Sequence, residues 1–341
     1  MRFARPAGLL LAAVAAVLWA VNMTVLQPLT EPVGPWPEAL PGNNTYWARD
    51  LRFAAIVAVV LGLVLAGRGD SWWARPAVLL GGVWIAADLA VDRADPTGAG
   101  PTVLLAAAGC AVVAAFAALC VRLGRSAARP GAYRRTLTGA ACVAGALTLV
   151  TAGIESPTDR EPELHPAAFG TATLLLLLAV SCALAAAPAP SRARSWLAVA
   201  VGVAGVLGVL FVRATSPGSG LLHFPLLGAV LFTGVTVLAW NWPAGRPDWG
   251  RHGLAALAGL IGPTAMLIFV MLISMWLRIG APLNALAGNT PINSADSDVL
   301  YSFAGVLVGL GMALLLAWPP ALDGGPGAAR PAVPPPVGTR G

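Results

Sequence analysis

Lysine is absent from this chain, and charge of every kind is scarce. Its 341 residues include 21 arginines, 15 carboxylates and three histidines, while 57% are hydrophobic. So little charge excludes an ordinary water-soluble enzyme and describes a chain dissolved in lipid. No Walker A sequence occurs, which argues against ATP hydrolysis by the chain itself. The apolar runs are continuous, not alternating, and that excludes an outer-membrane barrel. Only four cysteines are present (Cys110, Cys120, Cys142 and Cys182), all in apolar stretches and without CxxC spacing. They read as small packing residues, not as a disulfide framework or a zinc site.

What is present is ten long apolar stretches. A membrane helix needs roughly 20 mostly apolar residues, because each rises about 1.5 Å. The stretches run over Ala7–Leu26, Leu51–Ala66, Pro76–Val91, Pro101–Val121, Thr136–Ile154, Pro166–Ala187, Trp196–Val212, Leu221–Trp240, Gly253–Leu277 and Val299–Trp318. Backbone groups in lipid must be satisfied within the segment, so each is expected to be helical. The first stretch, preceded by Arg2 and Arg5 and followed by no convincing cleavage site, is expected to stay as an anchor.

With the N-terminus placed inside, 15 of the 21 arginines fall in inner gaps and 12 of the 15 carboxylates fall in outer ones. Short basic loops face the cytoplasm. The expectation is an all-α, polytopic transmembrane helix bundle of about ten spans, with both termini cytoplasmic. Residues 1–318 form this single domain, and 319–341 read as a disordered Pro/Gly-rich tail. Trp72, Trp73, Trp196, Trp240, Trp242 and Trp318 sit at inner span ends, where an aromatic belt belongs. The net charge of +6 is a topology signal spread over loops, so the expected partner is the lipid bilayer and not nucleic acid. No cofactor and no metal are expected. The Ala, Gly, Pro and Arg usage without lysine fits a high-GC bacterial genome, hence a multi-pass cell-membrane protein of a bacterial inner membrane.

The polar residues that interrupt this pattern are the candidates for function. Asp88, Asp92 and Asp95 at the outer end of span three have spacings of i, i+4 and i+7, which place them on one helical face. Gly81 and Trp84 share that face, so it is expected to look into the bundle. An ionised carboxylate at such depth costs at least ~2.5 kcal/mol. Burial and neighbouring like charges disfavour its ionised form, as a proton carrier requires. The competing reading pairs Asp88 with Arg93, Arg52 or another outer arginine and makes it a helix fastener.

Arg49 and Arg52 enter span two three residues apart and can form a basic patch for a phosphate or carboxylate. The alternative is that they snorkel to water. Asn293, Ser294, Asp296, Asp298, Tyr301 and Ser302 enter span ten. Asp298 and Tyr301 are candidates for the opposite wall of an outer vestibule, against the bland reading of acids favoured by a helix N-terminus. Glu155, Asp159, Arg160, Glu161, Glu163 and His165 read as a solvated loop. Gly262-Pro263-Thr264 in span nine predicts a kink or break, and Gly305 with Gly309 predicts a close helix contact.

Leu18-Trp19-Ala20-Val21-Asn22 resembles the opening of drug/metabolite transporters, which also have ten spans. The resemblance covers those five residues and implies no family membership. The aspartate spacing of span three resembles the motif of membrane prenyltransferases, but such enzymes carry two motifs at the cytoplasmic face.

Three functions are therefore expected, in order. The first is a secondary transporter or lipid/small-molecule flippase with an outward polar cavity, Asp88 and Asp92 responding to an ion or proton. The second is a membrane-embedded transferase or hydrolase acting on a lipid-linked substrate at the outer leaflet. It would use Asp88, Asp92 and Asp298 as base or metal ligands and Arg49 and Arg52 on phosphate. The third is a non-catalytic subunit of a membrane protein partner. No residue announces the substrate.

Overall fold

Apolar, helix-compatible sequence with polar punctuation produces helices and little else. The computed structural model describes residues 3–30, 47–124, 130–153, 164–189, 191–215, 220–242, 245–277, 280–288 and 300–317. These form α1 (Ala4–Val21), α2 (Gln27–Thr30), α3 (Trp47–Ala66), α4 (Ser71–Asp92), α5 (Ala99–Leu123) and α6 (Pro130–Gly153). They continue as α7 (Leu164–Ala185), α8 (Arg192–Ala214), α9 (Gly220–Ala239), α10 (Trp249–Leu277), α11 (Gly280–Ala287) and α12 (Leu300–Ala317). A π-helical turn over Asn22–Leu26 joins α1 to α2. No strand occurs among the described residues.

Seven segments are long and apolar enough to cross a membrane. They lie in the α1–α2 unit, α4, α5, α6, α7, α8 and α10. The apolar parts of α9 and α12 are shorter. α3 is apolar from Phe53 onward but opens with Arg49, Asp50 and Arg52. Such a helix is tolerable only where its charges have partners, and α3 is buried along almost its whole length.

α3 and α6 form the centre. α1 and α4 pack on α3, while α7 and α12 pack on α6. α5, α8 and α10 lie at the periphery and present Leu104, Leu207 and Ile261 outward, as lipid-facing helices do. Small residues set the closest crossings. A Cβ on Gly8 would lie 2.5 Å from the Gly62 carbonyl oxygen of α3, and one on Gly228 would lie 2.5 Å from that of Gly259 in α10. Gly305 and Gly309 bring α12 onto Leu147 and Val143 of α6, so the expected close contact is present.

Two expectations need correction. Of the kink or break expected at Gly262-Pro263-Thr264, the break does not occur, since α10 runs continuously from Trp249 to Leu277. Proline forfeits one backbone bond, and a packed membrane helix absorbs that loss without ending. The tryptophans also divide: Trp72 and Trp196 are exposed, whereas Trp73 and Trp240 are buried in the bundle. Trp318 and the tail lie outside the described residues. All four cysteines are unpaired and buried or half-buried.

Candidate functional site

The Asp88 end of α4 meets the charged end of α3. Gly81, Trp84, Asp88 and Asp92 all lie on the buried face of α4, as their spacing requires. Asp95 leaves that face. α4 ends at Asp92, and Asp95 adopts φ 45° ahead of Pro96 in an exposed turn. A residue before proline is steered away from helix, so the i+7 extrapolation fails there.

Arg49 and Arg52 neither snorkel nor face solvent. Both are 0% exposed, and both reach across to α4. Arg49 donates to Asp92 Oδ2 through its terminal nitrogen (2.7 Å) and Nε (3.2 Å). Arg52 bridges both carboxylates. It lies 2.9 Å from Asp92 Oδ2 and 3.1 Å from Asp88 Oδ2, with a further bond of 3.2 Å to Asp92 Oδ1. The basic patch thus takes carboxylates, but they are the protein's own. Asp88 is therefore paired with Arg52, one of the partners its position allowed. Arg93, another, is exposed.

The unit is neutral in sum, with two guanidinium groups against two carboxylates. Charge-assisted, partly bidentate bonds of this length are strong. Desolvating four ions is nevertheless expensive, and breaking one partner of such a buried set costs about 3–5 kcal/mol.

α1 and its π turn close the cluster from the third side. Trp19 Nε1 donates to Asp88 Oδ1 at 2.7 Å, and its ring meets Trp84 edge-on at 5.4 Å. Gln27 Oε1 accepts from Arg52 at 3.0 Å. In a regular α-helix, residues 19 and 27 would point about 80° apart. The extra residue of a π turn gives them the relation of i and i+7, within about 20°. The π turn thus lets one continuous element place Trp19 on Asp88 and Gln27 on Arg52. Asn22, inside that turn, is 2% exposed and its Nδ2 has no partner among the described residues.

Asp50 faces the other way. Its Oδ1 accepts from the Ser302 backbone N–H (2.8 Å) and Oγ–H (2.7 Å). A carboxylate from α3 therefore caps the first turn of α12, where the helix dipole favours an anion. The start of α12, expected to wall an outer vestibule, is anchored to Asp50 through Ser302. Tyr301 lies half-buried against the cluster of Leu26, Ala48, Leu51 and Ala168. Asp298 lies outside the described residues, as do Asn293, Ser294, Asp296 and the Glu155–Glu163 loop. His165 Nδ1 lies 2.8 Å from an Arg213 guanidinium nitrogen, which ties α7 to α8. Among the described residues no three of His, Cys, Asp and Glu converge as a metal site would require.

A second polar cluster at the opposite end escaped the sequence reading, which treated its arginines as loop charges. Arg134 donates from Nε to the Ala186 carbonyl (2.8 Å). From its terminal nitrogen it donates to the Ala239 carbonyl (3.0 Å) and to Asn241 Oδ1 (3.1 Å). Arg194 donates to the Leu238 and Trp240 carbonyls and stacks 4.2 Å from the Trp242 ring. These guanidinium groups satisfy carbonyls left open at the ends of α7 and α9, where the dipole favours cations. The only sequence signal was a pair of arginines entering each of α6 and α8, Arg134 with Arg135 and Arg192 with Arg194.

Compared with known proteins, the chain matches no family model, no curated protein and no solved structure.

Proposed function

We propose that this membrane protein is a secondary transporter or a lipid or small-molecule flippase whose coupling element is the Asp88–Arg52–Asp92–Arg49 cluster. The observation that carries this reading is the burial of four ionisable side chains paired with one another, none more than 5% exposed, whereas the other buried charges described, Asp50, Arg134 and Arg194, bond to helix ends. A buried ion network is a poor way to gain stability, since apolar residues of similar volume serve as well or better. Ionisable groups at membrane depth are most often functional.

The cluster also has the parts that coupling needs. Arg52 is shared between two carboxylates, so a proton on Asp88 leaves Arg52 held by Asp92 and gives the unit a net positive charge. That charge favours entry of an anionic group, and Arg49 and Arg52 are suited to a carboxylate or phosphate. The unit joins three elements, α1, α3 and α4, so a change in its protonation bears on all three contacts. On this reading the cluster faces the extracytoplasmic side, as the arginine distribution favours.

The reading is tested in proteoliposomes under an imposed proton gradient, using a panel of small carboxylates and phosphates and recording current on a supported membrane. Wild type is expected to carry one anion class with a pH-dependent current, and Asp88→Asn to carry it without the pH dependence. Folded wild type that is silent across the panel, or identical pH profiles in both proteins, would count against transport.

A non-catalytic membrane subunit is the second reading, favoured by the closure and neutrality of the cluster. It predicts that Asp88→Asn changes stability alone and that the protein co-purifies with a partner at fixed stoichiometry.

A further inference from the structure

We propose that the groove between α10 and α12, at the arginine-rich end, is a binding site for a phospholipid with an anionic headgroup. Arg251, Leu254, Ala255 and Ala258 lie on α10 at i, i+3, i+4 and i+7 and form one stripe along the helix. The last turn of α12 supplies Leu315 and Leu316 opposite them, and a cavity of about 320 Å³ opens between the two walls. Its size falls within the range of small-ligand pockets, roughly 300–1,000 Å³. Ala255 and Ala258 leave the room.

The floor is fixed. Trp240 Nε1 donates to the Leu316 carbonyl at 3.0 Å, and its ring stacks on His252 with centroids 5.5 Å apart. The walls are open, with Leu254 70% and Leu315 52% exposed. In a membrane-spanning bundle, an open apolar wall meets acyl chains.

The order of chemistry along the stripe is that of a phospholipid. A cation stands at the rim and apolar side chains run from it toward the middle of the span. The ion pair of Arg251 with Asp248 is long, at 3.6 Å, and the side chains are 56% and 42% exposed. Such a pair is weak, and it leaves guanidinium donors for a phosphate. Trp249, 68% exposed, sits two residues away, as an aromatic at headgroup depth does.

Charge complementarity selects an anionic lipid over a zwitterionic one. Arg68, Arg75, Arg122, Arg192 and Arg246 are exposed at this same end, and Asp70 and Asp248 are its only carboxylates among the described residues. Basic pockets between spans are a recurrent solution for anionic headgroups.

The test is native mass spectrometry of the full chain, released from nanodiscs holding equal phosphatidylglycerol and phosphatidylcholine. Wild type should retain phosphatidylglycerol with about tenfold preference, the scale of one charge-assisted contact. Arg251→Ala should retain both lipids equally, and Ala258→Trp, which fills the groove, should retain neither. If Ala258→Trp does not fold, Leu254→Gln at its exposed position should weaken retention of both. Equal retention of the two lipids by wild type, or unchanged retention in Arg251→Ala, overturns the proposal. So does displacement of the bound lipid by millimolar glycerol phosphate, which would make the site one for free phosphate.

Discussion

The two ends of this bundle bury arginines in opposite ways. At one end, Arg49 and Arg52 are matched by Asp92 and Asp88, charge against charge. At the other, Arg134 and Arg194 are matched by the carbonyls of Ala186, Leu238, Ala239 and Trp240. A carbonyl shell needs no counter-ion, and losing the arginine leaves unpaired carbonyls but no uncompensated ion. A carboxylate shell is different. Each member exists to neutralise another, so removing one leaves an uncompensated ion in a place water does not reach. The first arrangement is costly and interdependent, and the second is a helix cap. That asymmetry is why the proposed function is placed at the Asp88 end.

The comparison breaks most sharply at Asp92. Asp92→Leu removes the carboxylate that Arg49 bonds and leaves Arg52 with Asp88 alone, and the expected loss is about 3–5 kcal/mol, read as thermal unfolding in detergent at neutral pH. Next is Asp50→Ala, which uncaps α12 at a buried site and is expected to cost about 2 kcal/mol. Smaller still is Arg194→Gln, where an amide can replace part of the carbonyl bonding. Its expected cost is about 1 kcal/mol, and a loss as large as that of Asp92→Leu would erase the distinction between the two ends.

Part of this was legible in the sequence. Hydropathy located the helices because the solvent demands them, and 3.6-residue periodicity put Asp88 and Asp92 on the inward face with Trp84. Periodicity could not say where α4 stops, so Asp95 was carried along the face until Pro96 ended the helix. Pairing across sequence distances was less accessible. Arg52 was one of the partners considered for Asp88. Trp19 and Gln27 were not, because they reach the cluster only through a π turn that no residue type announces. Arg134 and Arg194 looked like loop charges, since which helix ends lie beside them is a matter of tertiary packing. Ser302 was seen as a polar residue entering a span, but its partner Asp50 stands 252 positions away.

The central claim is that the buried charges act as one unit, and a double-mutant cycle of Arg49→Met and Asp92→Leu tests it most directly. The double variant keeps Arg52 with Asp88, a balanced pair. The account predicts that each single change costs about 3–5 kcal/mol, while the double variant unfolds within about 1 kcal/mol of wild type. A double variant that loses the sum of the two single costs would contradict it, because the two side chains would then be contributing independently.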